Sequence, residues 1–359
     1  MAMAANHRRL AAVGNYQLLT TTLGKGSFSK VKLANHVILN KQIALKVITL
    51  SEIEDPYVKK NTQREAFIMA KLNHPNVVAL HEVCSTKDFF CLAIDFYPGG
   101  TLCDLVQDHP DGRLEEKQAR IYFRQIVDGL NHIHSKHIIH RDMKLENIFL
   151  DKEKTKVTIG DFGLSNFWRP GAKLETRCGS AEYAAPEIFD KNKNYNQAVD
   201  IWSLGIILYA MLTGQLPFEV KGGYNNIKEL IDIIMEGLTD DHFANLGKVS
   251  MEAKLMLSQL LVVEQDVRIH TSGVNKHMWI TQIDEMKIQA MPTILTQEMQ
   301  MMVANMVRVK LKLNHLTPNQ ILAYVFSAKG SFGKTAGCFS LLAREARYIE
   351  QPFLQGPSC

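Results

Sequence analysis

The chain has 359 residues, 46% of them hydrophobic and 22% charged, with a formal net charge of +4. This is the make-up of an ordinary soluble globular protein of about two domains, long enough to bury sizeable cores without disulfide or metal staples. A charge this small gives no case for a nucleic-acid or membrane partner.

The six cysteines (Cys84, Cys91, Cys103, Cys178, Cys338 and Cys359) are scattered and form no C-x-x-C pair. That pattern points to reduced thiols in a cytoplasmic protein, with the nucleus as a further compartment, over a disulfide framework or a zinc site. Met1 to Asn15 lacks the apolar core of a secretory signal. The most apolar run, Ile201 to Leu212, is interrupted by Ser203 and Gly205 and is too short to span a bilayer. It reads as a buried helix, and no transmembrane segment is expected.

From Tyr16 to Val47 short β-type runs alternate with turn residues. Leu18–Leu23 leads into Gly24-Lys25-Gly26-Ser27-Phe28-Ser29, after which Val31 and Leu33 continue as a strand. Two glycines let a backbone approach a ligand closely enough for its N–H groups to face phosphate oxygens. By itself the pattern fits a plain hairpin turn equally well. A dinucleotide fingerprint would open a helix, so the strand that follows favours a strand–loop–strand phosphate cover.

Ile43-Ala44-Leu45-Lys46 places a lysine on the third strand. Glu65, Met69 and Leu72 recur at i, i+4 and i+7 on one face of a helix. An inward glutamate needs a partner, because burying an unpaired charge is costly. Lys46 is the expected one, and the pair would hold the α- and β-phosphates of a nucleotide. Val77–Val83 and Phe89–Phe96 read as strands, ending at Pro98-Gly99-Gly100, a connector between two lobes. Beyond it Phe123, Ile126, Val127, Leu130, Ile133 and His134 recur at helical spacing.

His140-Arg141-Asp142-Met143-Lys144-Leu145-Glu146-Asn147 follows, then Asp161-Phe162-Gly163 and Ala185-Pro186-Glu187. With Gly24/Gly26, Lys46 and Glu65 before them, these motifs stand in the order found in protein kinases, and the chain resembles that family from about Tyr16 to Ile280. Gly24–Ala34, Leu72-Asn73-His74-Pro75-Asn76 and Leu174–Ser180 are most similar to the calcium/calmodulin-dependent group, near the AMP-activated and microtubule-affinity-regulating kinases. The resemblance implies an α+β fold, with a small β-rich N-lobe (16–97) and a large helical C-lobe (98–280). It also implies ATP and magnesium as cofactors, protein substrates, and phosphorylation of serine or threonine hydroxyls.

By the same resemblance Asp142 accepts the proton of the substrate hydroxyl and Lys144 stabilises charge on the moving phosphoryl group. Asn147 and Asp161 hold magnesium, a metal that prefers hard oxygen ligands. The nucleotide is implied to meet Leu23, Gly24, Lys25, Gly26, Ser27, Phe28, Ser29, Lys46 and Glu146. Its adenine meets the connector backbone at Asp95 and Tyr97, with Ile94 behind the ring and Val31, Ala44 and Phe149 around it. Phe149 departs from the leucine usual there, and Ser29 replaces the third glycine of the cover loop. Lys144 and Ser180, a hydroxyl residue that bonds the catalytic aspartate and lysine, are typical of serine/threonine kinases.

Thr176 occupies the position phosphorylated in relatives by an upstream kinase, and Arg141 would receive that phosphate. Glu187 should pair with Arg268, and Asp200 should anchor the catalytic loop. Thr101 stands where relatives with a basic substrate preference often carry an acid, which weakens that preference, while Glu146 keeps the other acidic position.

The kinase pattern ends near 280. A linker over 281–292 leads to three amphipathic stretches, about 295–309, 318–328 and 334–348, within a helical module at 293–350. Residues 1–15 and 351–359 read as flexible ends. Met299, Met302, Val303 and Met306 share one face. The module resembles the ubiquitin-associated-like unit of related kinases but lacks its clear turn motif, so docking on the kinase domain as a brace is the expectation. The alternative function is a catalytically silent pseudokinase scaffold, which would need a defect at Lys46, Asp142 or Asp161. None is visible.

Overall fold

Along Lys41–Thr49, Ile43, Leu45 and Val47 alternate with Ala44, Lys46 and Ile48, and a period of two sends these sets to opposite faces of a sheet. The computed structural model shows what each face meets. It describes residues 10–26, 28–53, 55–169, 174, 178–190, 194–220, 227–281, 297–326 and 334–349. They fall into two units: one drawn from 1–66, 79–96 and 289–359, the other from 67–78 and 97–288.

The first unit holds strands β1 (Ala12–Val13), β2 (Tyr16–Lys25), β3 (Ser29–His36), β4 (Lys41–Thr49), β5 (Leu80–Ser85) and β6 (Phe89–Ile94), and most of helix α1 (Pro56–Met69). The strands form one antiparallel sheet in the order β1-β2-β3-β4-β6-β5. Lys46 therefore lies on the fourth strand, not the third, because the two-residue β1 precedes the others. The strand expected from Val77 begins only at Leu80, since Val77 instead bridges to Ile159.

In the second unit α2 (Leu102–Gln107), α3 (Glu116–Ser135), β7 (Ile138–Ile139), β8 (Ile148–Leu150), β9 (Val157–Ile159) and β10 (Asn166–Phe167) precede α4 (Pro186–Phe189) and α5 (Ala198–Thr213). Helices α6 (Ile227–Glu236), α7 (Asp240–Asn245), α8 (Met251–Leu260), α9 (Thr271–Val274) and α10 (Met278–Thr281) complete it. The run 201–212 is buried on every side within α5, as expected of a helix apolar all round. Gly214 ends it at a φ of 78°, a left-handed cap that a side chain would resist.

Two buried carboxylates order this unit. Glu187 and Arg268 form a forked ion pair (2.7 and 3.0 Å), and the guanidinium also donates to the carbonyls of Ala198 and Val262. Asp200, in the first turn of α5, accepts from the backbone N–H groups of His140 (2.9 Å) and Arg141 (2.8 Å) and meets His134 Nε2 at 2.8 Å. His134, on the apolar face of α3, is buried because it serves this carboxylate.

The first unit is completed by α11 (Gln297–Lys310), α12 (Pro318–Val325) and α13 (Lys334–Ile349). Thr317 caps α12 reciprocally with Gln320, and Pro318 occupies its first turn. Val303, Ala304, Val307, Ile321, Cys338 and Leu342 share one apolar cluster with Ala34, Ile43, Leu45, Val47, Cys91 and Ala93 of the sheet. Burial of Cys84 and Cys91 pushes each thiol up to about 12. Gly337 passes so close to Glu82 that a Cβ there would lie 2.7 Å from its carboxylate oxygen. The methionine stripe divides: Met299 is buried, whereas Met302 and Met306 are exposed. The arc of α11 that faces the core is centred on Val303 and Val307, and those two methionines fall off it.

Burial alone would raise the Asp200 carboxyl, but His134, His140 and the Arg141 N–H outweigh it and hold it below the usual carboxylate range. The folded group therefore binds its proton less readily than the unfolded one. Its stabilisation is complete above about pH 4 and is lost as pH falls through the folded value. Asp200→Asn should lower the melting temperature at neutral pH and flatten its decline on the acid side. A decline as steep as the wild type's would contradict this assignment.

Candidate active site

In the first unit the turn between β2 and β3 closes through Gly26 N–H donating to the Ser29 carbonyl at 2.8 Å. Gly24 pairs with Val31 and Lys25 with Lys30 on the flanking strands. Leu23 and Phe28 are exposed large apolar side chains beside this turn, and Ser27 lies outside the described residues. On β4, Lys46 pairs with Val31 and Leu92, and Ala44 with Leu33 and Ile94. Lys46 Nζ reaches Glu65 Oε1 at 2.7 Å, with the side chains only 15% and 7% exposed. The alternation of β4 explains the pairing: the cluster with the C-terminal helices takes Ile43, Leu45 and Val47, and Lys46 points to the other face.

Asp95 follows β6. Its carboxylate accepts from Ala79 N–H (3.1 Å), meets His81 Nε2 (2.8 Å) and pairs with Arg344 Nε (2.7 Å). With the side chain so engaged, the backbone is the part of Asp95 suited to meet a base.

In the second unit Asp142 is the centre of a compact polar group. Asn147 Nδ2 donates to its carbonyl (2.8 Å) and to Oδ2 (3.0 Å), and Lys144 Nζ lies 3.1 Å from Oδ2. Ser180 donates to Oδ1 through both its N–H and its hydroxyl, each at 3.2 Å, and that hydroxyl accepts from Lys144 Nζ at 2.9 Å. Gly179 turns the chain at a φ of 109°, and a Cβ there would strike the Arg141 carbonyl at 2.6 Å, so only glycine brings Ser180 in.

Two residues next to the chemistry hold left-handed backbone without being glycine: Arg141 at a φ of 68° and Asp161 at 58°. Asp200 fixes the first through its N–H. Around the second, Gly160 N–H donates to the Asn147 carbonyl (2.9 Å), and the Gly160 carbonyl lies 3.0 Å from His140 Nε2. His140 also meets Phe162 edge-on. These contacts tie Asn147 and Asp161 to one frame. Because the Asn147 amide nitrogen is turned to Asp142, its oxygen is the end suited to a cation. That oxygen and the Asp161 carboxylate are hard donors of the kind magnesium takes, so the residues present fit the metal.

Tyr97 and Phe149 stack with ring centroids 6.1 Å apart. Glu146 stands in the 3-10 turn Leu145–Asn147 and is exposed. Thr101 caps α2, accepting from Asp104 N–H at 3.1 Å while Asp104 accepts from Thr101 N–H at 2.8 Å. Thr176 lies outside the described residues. Sequence reasoning missed Tyr195, whose hydroxyl accepts from Arg141 Nη1 at 2.9 Å while Nε donates to the Leu164 carbonyl at 2.6 Å. It also missed His81 and Arg344 at Asp95. A tyrosine five residues before Asp200 was the available signal for the first; nothing in the sequence pointed to the other two.

The protein kinase domain family matches residues 18–280. Among curated proteins the chain is 36% identical to the serine/threonine-protein kinase SIK1 of Mus musculus over 286 residues, 80% of this chain and 34% of that protein. It is 38% identical to the probable serine/threonine-protein kinase MARK-A of Dictyostelium discoideum over 270 residues, 75% of this chain and 24% of that one. SIK2 of Gallus gallus is 37% identical over 279 residues, 78% of this chain and 33% of its own length. The chain thus spans about a third or less of these relatives, which bear out its likeness to the AMP-activated branch of the calcium/calmodulin-dependent group. With a β-rich unit carrying the Lys46–Glu65 pair and a helical unit carrying the Asp142 group, the chain belongs to the protein kinase family.

Proposed function

We propose that this chain transfers the γ-phosphoryl group of ATP to serine or threonine hydroxyls of proteins, through a catalytic domain at 16–280. The observation that carries the reading is the Asp142 group: Lys144, Asn147 and Ser180 all lie within 3.2 Å of one carboxylate. Asp142 keeps one carboxylate oxygen against Ser180 and the other against Lys144 and Asn147, which fixes its plane. In the reaction a substrate hydroxyl oxygen forms the bond to the γ-phosphorus as the bond to the β,γ-bridging oxygen breaks, and Asp142 takes the hydroxyl proton. Lys144 offsets negative charge on the moving group.

Lys46, oriented by Glu65, holds the α- and β-phosphates beneath the turn of residues 23–29. Asp95 and Tyr97 offer backbone groups to adenine, and Val31, Ala44 and Phe149 supply apolar contact. Asn147 and Asp161 would hold magnesium, which when bound neutralises the phosphate charge. A basic serine peptide incubated with the full chain and γ-labelled ATP should take up label, and Asp142→Asn should cut the rate by about a hundredfold or more, the usual worth of a positioned proton acceptor. Equal incorporation by both proteins would sink this reading and favour a silent scaffold.

An upstream kinase phosphorylates Thr176 in this reading. Arg141 spends Nε and Nη1 on Leu164 and Tyr195, which leaves Nη2 to meet the phosphate. Residues 293–350 act as a brace on the catalytic domain, supported by the apolar cluster shared with the sheet. Among the described residues no helix is long and apolar enough to cross a membrane, and the site of action proposed is the cytoplasm, with the nucleus as a second compartment. Thr176→Ala should retain only a small fraction of the activity of the phosphorylated wild type in the peptide assay. Full activity in that variant would remove the switch from the account.

A further inference from the structure

Resting on the nucleotide reading above, we propose that Arg344, on α13, is a positioning residue for ATP: its ion pair with Asp95 sets the backbone that receives adenine. The chain leaves β6 at Asp95, whose N–H donates to the Ala79 carbonyl at 3.2 Å. Its carboxylate closes the ring by accepting from Ala79 N–H, so side chain and main chain of Asp95 are locked together. Two further partners reach that carboxylate. One is His81 on β5, whose other ring nitrogen lies 2.9 Å from Ser340 Oγ. The other is Arg344 itself. Ser340 and Arg344 are four residues apart on α13, hence on one helical face. That helix thus meets the Asp95 carboxylate directly through Arg344 and indirectly through Ser340 and His81.

The apolar residues Phe339, Leu341 and Leu342 already account for the packing of α13. They do not explain an arginine that is 8% exposed, a degree of burial this residue seldom adopts without a charged partner. Burial alone would raise the Asp95 carboxyl; Arg344 first and His81 second reverse this and hold it well below the usual carboxylate range. Without Arg344 the buried carboxylate loses its guanidinium partner. Swinging toward water relieves it, but because the carboxylate is tied to Ala79 N–H this movement carries the 95 peptide groups with it. Hydrogen bonds weaken steeply with distance and angle, so a small shift there falls first on adenine binding.

The test uses the full chain and measures KM for ATP, KM for peptide, kcat and melting temperature. The variants are Arg344→Met, Asp95→Asn, the double variant, and Leu342→Ala as a control on packing alone. Arg344→Met should raise KM for ATP about tenfold, with KM for peptide and kcat at saturating ATP within about twofold of wild type, and Asp95→Asn should raise KM for ATP to a similar degree. The double variant should be no worse than the poorer single, the mark of two residues acting as one unit. The double removes both charges of the pair together, so it carries the same prediction if Arg344→Met fails to fold. An unchanged KM for ATP beside a lowered melting temperature overturns the proposal, as do additive effects or an equal rise in Leu342→Ala. A wild type without ATP turnover fails differently, since it overturns the kinase reading on which this one stands.

Discussion

A carboxylate taken out of water must be given partners, and this requirement organises both units. Transferring an unpaired charge to the interior costs several kcal/mol, so each buried acid dictates what surrounds it. Asp200 gathers two backbone N–H groups and a histidine, and in doing so holds the backbone of His140 and Arg141. Glu187 takes the fork of Arg268 and links α4 to the segment after α8. Glu65 takes Lys46, and Asp95 takes His81 and Arg344. Asp200 and Asp95 accept from backbone N–H groups as well as side chains, so each ties down a main-chain segment along with a charge.

Strand β4 shows the same economy in apolar terms. One face, Ile43, Leu45 and Val47, is satisfied by helices from the far end of the chain. Its other face carries Lys46 to Glu65. A one-residue slip in register would exchange the faces, burying the lysine among Val303 and Leu342 and turning the aliphatic row away from them. The packing of α11 and α13 therefore supports the lysine by holding the strand in register.

Much of this was legible in sequence because kinase motifs are local. His140–Asn147, Asp161-Phe162-Gly163 and Ala185-Pro186-Glu187 each place their residues by short-range geometry, and the Lys46–Glu65 pairing followed from the cost of an inward glutamate. What stayed hidden depends on contacts between segments far apart in the chain. Arg344 and Asp95 are joined only because α13 lies against β5 and the end of β6, and no periodicity within either segment reports that. His134 read as one more position on the apolar face of α3, although its ring serves Asp200. The methionine stripe shows a related limit: spacing gives a helical face, but only the neighbouring core decides which arc of the helix is covered.

The most direct test of the account is the chemical identity of the phosphorylated product. The full chain should be incubated with γ-labelled ATP, magnesium and a peptide bearing serine, threonine and tyrosine, and the hydrolysed product separated into its phosphoamino acids. The likeness to serine/threonine kinases, with Lys144 and Ser180 closed on the Asp142 carboxylate, predicts label on serine or threonine and none on tyrosine. Label on tyrosine, or no transfer above the uncatalysed rate, would contradict it.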